Sequence, residues 1–310
     1  MKVQVKRGGL VHAPGPSRRT TDPVSLTPAQ SRSFVLPAMD TEFLLRDELR
    51  AVLFGLEYEK AELILRAARI RSTVVVLGSA RVISRQQANA ELKAAKGRGQ
   101  SRVARLRLHQ SAQYEEARKF GRIVSERGGA LDHRRRFRDN VIATGGGPGV
   151  MEAACRGAAE AGAPAIGFNI SLPHEQPPNH YTTPGLTFQF HYFAMRKMHL
   201  VMRANALAVF PGGFGTLDEL FEILTLLQTG KAQAIPILLF NRRYWQNVVN
   251  LAAMRSEEMI SAQDLKLIEF VEDAEEAWRS LLKRGLSVPD SNGNGRPLLR
   301  GQAKRRGRVE

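Results

Sequence analysis

The sequence predicts a doubly wound α/β domain: a mostly parallel sheet with helices on both faces. Three observations predict it. Short apolar runs rich in β-branched residues recur along the chain, the first being Thr73-Val74-Val75-Val76-Leu77. A continuous run of this length suits a strand buried on both faces. Stretches of helical periodicity separate the runs, which is the spacing of βαβ units. Glycine-rich turns then follow three of the runs, at Gly78-Ser79, at Gly145-Gly146-Gly147-Pro148-Gly149 and at Pro211-Gly212-Gly213-Phe214-Gly215-Thr216. Crossovers in such sheets are right-handed. Ligands sit beyond the carboxyl ends of the strands, where the strand order reverses.

Taken in order, residues 1–40 are rich in Pro, Gly, Ser and Arg without periodicity, and read as a disordered basic extension. Over 41–71, Leu44, Leu45, Leu49, Val52, Leu53, Leu56, Leu63, Ile64 and Leu65 recur at helical spacing, a lead-in of one long helix or two short ones. Residues 84–110 are polar and basic with glycines, and read as a partly helical or mobile insertion; periodicity resumes at 114 and runs to 126. Further strands are expected at 141–143, 163–168, 186–190, 206–210, 235–240 and 267–271. Helices are expected to 161 after the second glycine turn, and at 193–204, 217–229, 244–254 and 274–282. Residues 131–140 form a second, Arg-rich insertion, and 286–310 read as a disordered basic tail, leaving 41–285 as the folded domain.

Composition narrows the class. The chain has 310 residues, 43% of them hydrophobic, enough for a sizeable core. Its one cysteine, Cys155, excludes an internal disulfide framework and fits a reducing compartment. No apolar run approaches the roughly 18 residues of a membrane span, and the N-terminus lacks the apolar stretch of a secretory signal. A cytoplasmic protein is expected. The net charge of +16 raises the question of nucleic acid. The excess is segmental: +5 over 1–39, +7 over 81–109 and +6 over 283–310, with the remainder slightly acidic. Solvated basic segments explain such a distribution, and nucleic acid is not expected as a partner.

The glycine turns carry the chemistry. Glycines let backbone N–H groups approach an anion closely, and the helix that follows presents its positive end to it. Pro148 suits the first helical turn. Thr216 has the character of an N-cap, with Glu219 three residues on, so a capping box is a purely structural account of both. The other account gives the Thr216 hydroxyl and the free N–H groups to a phosphate and leaves Glu219 aimed into the cleft. Neither turn is a Walker-type phosphate loop, and no dinucleotide fingerprint follows the first strand. Arg196, His199 and Arg203 share a helical face, as either a solvated stripe or an anion clamp. No His/Cys/carboxylate group has metal-ligand spacing, so neither metal nor other cofactor is expected.

These residues resemble the LONELY GUY (LOG) family. Pro211-Gly212-Gly213-Phe214-Gly215-Thr216-Leu217-Asp218-Glu219 matches its PGGxGTxxE signature, and Arg196-Lys197 its preceding Arg-Lys pair. Gly78-Ser79-Ala80-Arg81 and Gly145 to Glu152 look like its first and second glycine motifs. The resemblance covers about 42–285. It implies a Rossmann-like phosphoribohydrolase that hydrolyses the N-glycosidic bond of a nucleoside 5′-monophosphate, a cytokinin nucleotide or AMP, to free base and ribose 5-phosphate. It implies a homodimer or larger oligomer with sites near the subunit interface. The family's essential Arg and Glu map onto Arg196 and Glu219. Its nucleotide-binding positions map onto Gly78, Ser79, Gly145, Gly146, Gly147, Gly149, Met151, Arg196, Lys197, Gly212, Gly213, Gly215 and Thr216. Asp218, Glu222 and His191 are unranked candidates for protonating the leaving base. The alternative is a non-catalytic nucleotide sensor whose basic tails engage nucleic acid or a protein. The old lysine decarboxylase label of many members finds no pyridoxal-phosphate lysine motif here.

Overall fold

The computed structural model describes residues 27–131, 136–172 and 177–289. The chain divides into two compact units, Met1–Leu53 and Phe54–Glu310. In the first, 3₁₀ turns at Pro28–Gln30, Arg32–Phe34 and Pro37–Met39 precede the short helix α1 (Thr41–Leu44). Asp40 caps that helix by accepting from the Phe43 N–H at 3.0 Å, and Arg32 pairs with Glu42. The rest of the N-terminal extension lies outside the described residues, as do most of the C-terminal tail and residues 132–135 of the second insertion.

From α2 (Arg50–Ala67) the chain runs β1 (Thr73–Leu77), α3 (Arg85–Ala94), α4 (Gly97–Arg127), β2 (Val141–Thr144), α5 (Val150–Glu160), β3 (Ala165–Ile170), β4 (Thr187–Phe190) and α6 (Phe193–Met202). It continues β5 (Ala204–Val209), α7 (Phe214–Gln228), β6 (Ile237–Phe240), α8 (Arg242–Val248), α9 (Leu251–Ser256), β7 (Ile268–Val271) and α10 (Ala274–Lys283). The seven strands form one sheet in the order β4-β3-β2-β1-β5-β6-β7, and every pairing is parallel. The doubly wound expectation therefore holds.

The alternation along β1 shows how the sequence builds two layers. Val74 and Val76 enter a core with Phe120 and Val124 of α4, Ala153 and Ala154 of α5 and Trp278 of α10. Val75 and Leu77 enter the opposite core with Leu65 of α2, Leu200 of α6, Leu220 and Ile223 of α7 and Trp245 of α8. All five β1 residues are buried. Successive side chains point to opposite faces, so a run with no polar position can be satisfied only by helices on both sides.

The structure corrects several expectations. The 84–110 insertion, expected to be partly helical or mobile, is almost wholly helical: it supplies α3 and the first half of the 31-residue α4. Its exposed polar face masked the periodicity, and only Ala88, Ala104 and Ser111 mark the buried side. The stretch 244–254 is two helices, α8 and α9, each capped by an asparagine, Asn241 and Asn250. Pro148 lies just outside α5, whose N-cap is Gly149.

Candidate functional site

The strand order reverses between β1 and β5, with β2 on the other side of β1. The three glycine turns leave these three adjacent strands and are tied together. The Phe210 N–H donates to the Leu77 carbonyl at 2.9 Å, the Ser79 N–H to the Pro211 carbonyl at 3.1 Å, and the Val150 N–H to the Ser79 carbonyl at 3.1 Å. The Ser79 hydroxyl accepts from the Arg81 N–H at 3.1 Å. Gly78 packs so closely on Val150 that a β-carbon would sit 2.6 Å from its side chain.

The turn after β2 is braced from within. The Gly146 N–H donates to the Thr144 hydroxyl at 3.0 Å. Asn179, itself buried, donates from its side-chain amide to the carbonyls of Gly146 and Gly147, both at 3.0 Å, and from its backbone to Gly146 at 2.9 Å. Gly146 and Gly149 have φ of +72° and +74°, the left-handed region that favours glycine. A β-carbon on Gly146 would meet the Asn169 side chain at 2.4 Å. Met151 places its sulfur 3.0 Å from where a β-carbon of Gly145 would stand.

The turn after β5 is different. The N-cap of α7 is Gly213, with no side-chain cap, and Phe214, Gly215 and Thr216 form the first turn. The capping-box account of Thr216 and Glu219 therefore fails: the helix starts three residues earlier than that pattern requires. The Thr216 hydroxyl instead sits under Gly212, 2.1 Å from where a β-carbon would be. Gly212 accepts from the Tyr244 hydroxyl at 2.5 Å. The N–H groups of Gly212, Gly213, Phe214 and Gly215 donate to no acceptor among the described residues. Phe214 is 93% exposed.

One helical turn beyond Thr216, Glu219 is buried, and its carboxylate accepts from Arg196 Nη2 at 2.6 Å. Burial pushes the Glu219 carboxyl above the ordinary carboxylate range, and the nearby Arg196 and Lys197 charges only partly pull it back. Arg196 comes from α6, whose entry is fixed by Glu57 accepting from the backbone N–H groups of His191 and Tyr192 at 2.6 and 3.3 Å. Its guanidinium lies 5.2 Å from the Phe193 ring centroid. Its Nε is buried and makes no hydrogen bond, so one donor of the fork is free.

The shared basic face of α6 does not survive as a unit. His199 is buried against Tyr58, Phe168 and Phe190. Arg203 lies past the helix end and pairs with Glu62 at 2.7 Å. Lys197 lies 2.8 Å from both Asp218 and Glu222. Burial disfavours its charge, but these carboxylates outweigh burial and raise its pKa. An open groove of about 540 Å³ runs beside this pair, lined by Lys197, Leu217, Asp218, Phe221, Glu222, Thr225 and Leu226. Glu219 is not among its lining residues; it belongs to the opposite, buried face of α7.

Fold and site together define a Rossmann-like parallel α/β protein whose glycine turns converge at the reversal of strand order. A family model described as "Possible lysine decarboxylase" matches residues 151–281. That model represents the LOG family, to which this part of the chain is similar. The match spans the Arg196-Lys197 pair and the β5 turn, and begins just after the other two turns. Among solved structures, the chain is similar to the molybdenum cofactor binding protein from the phototrophic bacterium Rippkaea orientalis, at 18% identity, covering 69% of this chain and 96% of that one, with a TM-score of 0.42. A structural-genomics target, TM1055, gives 20% identity, 68% and 99% coverage and 0.41. The Moco carrier protein from Chlamydomonas reinhardtii gives 18%, 69% and 97%, and 0.40. No curated protein matches the chain.

Proposed function

We propose that this protein hydrolyses the N-glycosidic bond of a nucleoside 5′-monophosphate, releasing the base and ribose 5-phosphate. One observation carries the proposal. Four consecutive N–H groups without an acceptor among the described residues head α7, and one turn further along the same helix stands a buried carboxylate oriented by an arginine. Free N–H groups at a helix N-terminus favour a phosphate. With the 5′-phosphate there and held also by Thr216, the ribose is carried toward Glu219 by proximity.

The reaction adds water across the C1′–N bond. As that bond breaks, positive charge builds on the sugar, and the Glu219 carboxylate stabilises it. Its raised pKa also suits it to take a proton from the attacking water, which becomes the C1′ hydroxyl. Arg196 Nη2 keeps Glu219 in place, while its buried Nε makes no hydrogen bond among the described residues. The base leaves with a proton. Asp218 and Glu222 are engaged with Lys197, which disfavours both as its source. Exposed apolar side chains on α2 and α6, among them Leu56, Leu63, Phe193 and Met202, support assembly as a homo-oligomer, which light scattering would measure.

The test is a product assay. The full chain is incubated with a panel of nucleoside monophosphates, including AMP and isopentenyl-modified AMP, and free base and ribose 5-phosphate are quantified. Wild type should turn over at least one member, and Glu219→Gln should lose roughly 10²- to 10⁴-fold in rate while still binding it. Nucleotide binding without base release would instead identify a sensor. An unchanged rate in Glu219→Gln would remove that residue from the chemistry.

A further inference from the structure

The two halves of α4 treat their cations differently. In the C-terminal half each cation is paired with a carboxylate: Arg118 with Glu160, Lys119 with Glu116, Arg122 with Glu126 and Arg127 with Glu275. In the N-terminal half Arg98, Arg102 and Arg105 are exposed and form no ion pair among the described residues, while Arg107, on the other side, is neutralised by Glu91 at 2.7 Å. With exposed His109, the three arginines stand at positions i, i+4, i+7 and i+11 of one helix. At about 100° per residue these fall within a strip roughly 60° wide, and at about 1.5 Å rise the strip is roughly 16 Å long. Like charges at such spacings destabilise a helix, so a row of them without acids is a cost borne on the folded surface.

We propose that this strip is a docking surface for the phosphodiester backbone of duplex DNA. A duplex carries one negative charge per about 1.7 Å of axis, so a strip of this length faces more phosphates than it has cations. Arginine is the side chain whose planar fork suits phosphate oxygens. The side chains nearest the strip on its two sides are Ser101 and Leu108, and Leu106 and Gln113. They include no aromatic for stacking the bases of a single strand, and two isolated aliphatic side chains fall short of the apolar face of a membrane-surface helix. An α-helix also fits the major groove of B-form DNA, whereas the major groove of duplex RNA is too deep and narrow. None of these arginines is assigned to the nucleotide site, so the two activities can be tested separately.

The experiment measures binding of the full chain to a duplex DNA of arbitrary sequence across a salt series. Two charge-matched variants are compared: Arg98→Gln/Arg102→Gln/Arg105→Gln, and Lys119→Gln/Arg122→Gln/Arg127→Gln. Each loses three positive charges. Wild type should bind with a steep salt dependence, and the first variant should reduce the slope of log K against log salt by up to about 2.7, near 0.9 per lost phosphate contact. That corresponds to about 40-fold less sensitivity between roughly 50 and 200 mM salt. The second variant should keep the wild-type slope. Equal losses in both variants would show attraction by net charge alone. No DNA binding, binding only to single strands or duplex RNA, or binding only to anionic phosphatidylserine vesicles would overturn the proposal. Circular dichroism of both variants checks that α4 is intact.

Discussion

The glycine turns after β2 and β5 look alike in sequence and are built for different ends. The first is braced by side chains: Thr144 takes the Gly146 N–H and Asn179 holds two carbonyls, while the Gly145, Gly147 and Gly149 N–H groups donate to no acceptor among the described residues. The second leaves four consecutive N–H groups without an acceptor among the described residues, and a β-carbon at Gly213 or Gly215 would meet nothing within 4 Å. A glycine run is thus compatible with a brace or with a receptor, and only the hydrogen-bond partners tell which. Under the proposed function the braced β2 turn positions, and the unbraced β5 turn at the head of α7 receives the anion.

Breaking this comparison starts with the brace. Gly146→Ala forces a side chain into a left-handed conformation and onto Asn169, and should cost about 2–4 kcal/mol in a urea titration. A loss under ~0.5 kcal/mol would mean the turn is not held. Asn179→Ala leaves the Gly146 and Gly147 carbonyls without their side-chain donor and should cost about 1–3 kcal/mol. On the receptor side the order reverses. Gly213→Ala should leave stability within ~0.5 kcal/mol, yet weaken nucleotide binding about tenfold by holding a phosphate off one N–H. Calorimetric titration with a monophosphate would check it, and unchanged affinity would move the anion elsewhere.

The smallest effect is on pH. Glu219 has a raised pKa in the folded state, so the folded form binds more protons than the unfolded one above the ordinary glutamate range. Its contribution to stability is present below that range and is lost as pH rises through the folded pKa. Wild type should therefore lose stability relative to Glu219→Gln as pH increases across that window. A flat difference would indicate that Arg196 fully offsets burial.

Much of the frame was legible because it depends on local pattern. Thr73-Val74-Val75-Val76-Leu77 could be satisfied only between two layers, and three glycine turns on such strands had to meet at one sheet edge. What escaped depends on distant partners. Asn179 sits in a stretch that reads only as a polar loop, and nothing local links it to Gly146, 33 residues away. Tyr244 reads as the start of a helix, not as a support for Gly212. The Thr216/Glu219 spacing fitted a capping box because that motif is local, whereas the partner Glu219 takes is Arg196, on another helix. The first half of α4 was hidden by its own charge, since its helical stripe consists of small residues among arginines.

The bare aromatic ring at Phe214 has a practical consequence. Both native tryptophans, Trp245 and Trp278, are buried, so their emission reports on the interior. Phe214→Trp would add a single water-facing fluorophore at the mouth of the β5 turn. Ligand arrival could then be followed optically in real time, without labelling the protein or waiting for a product.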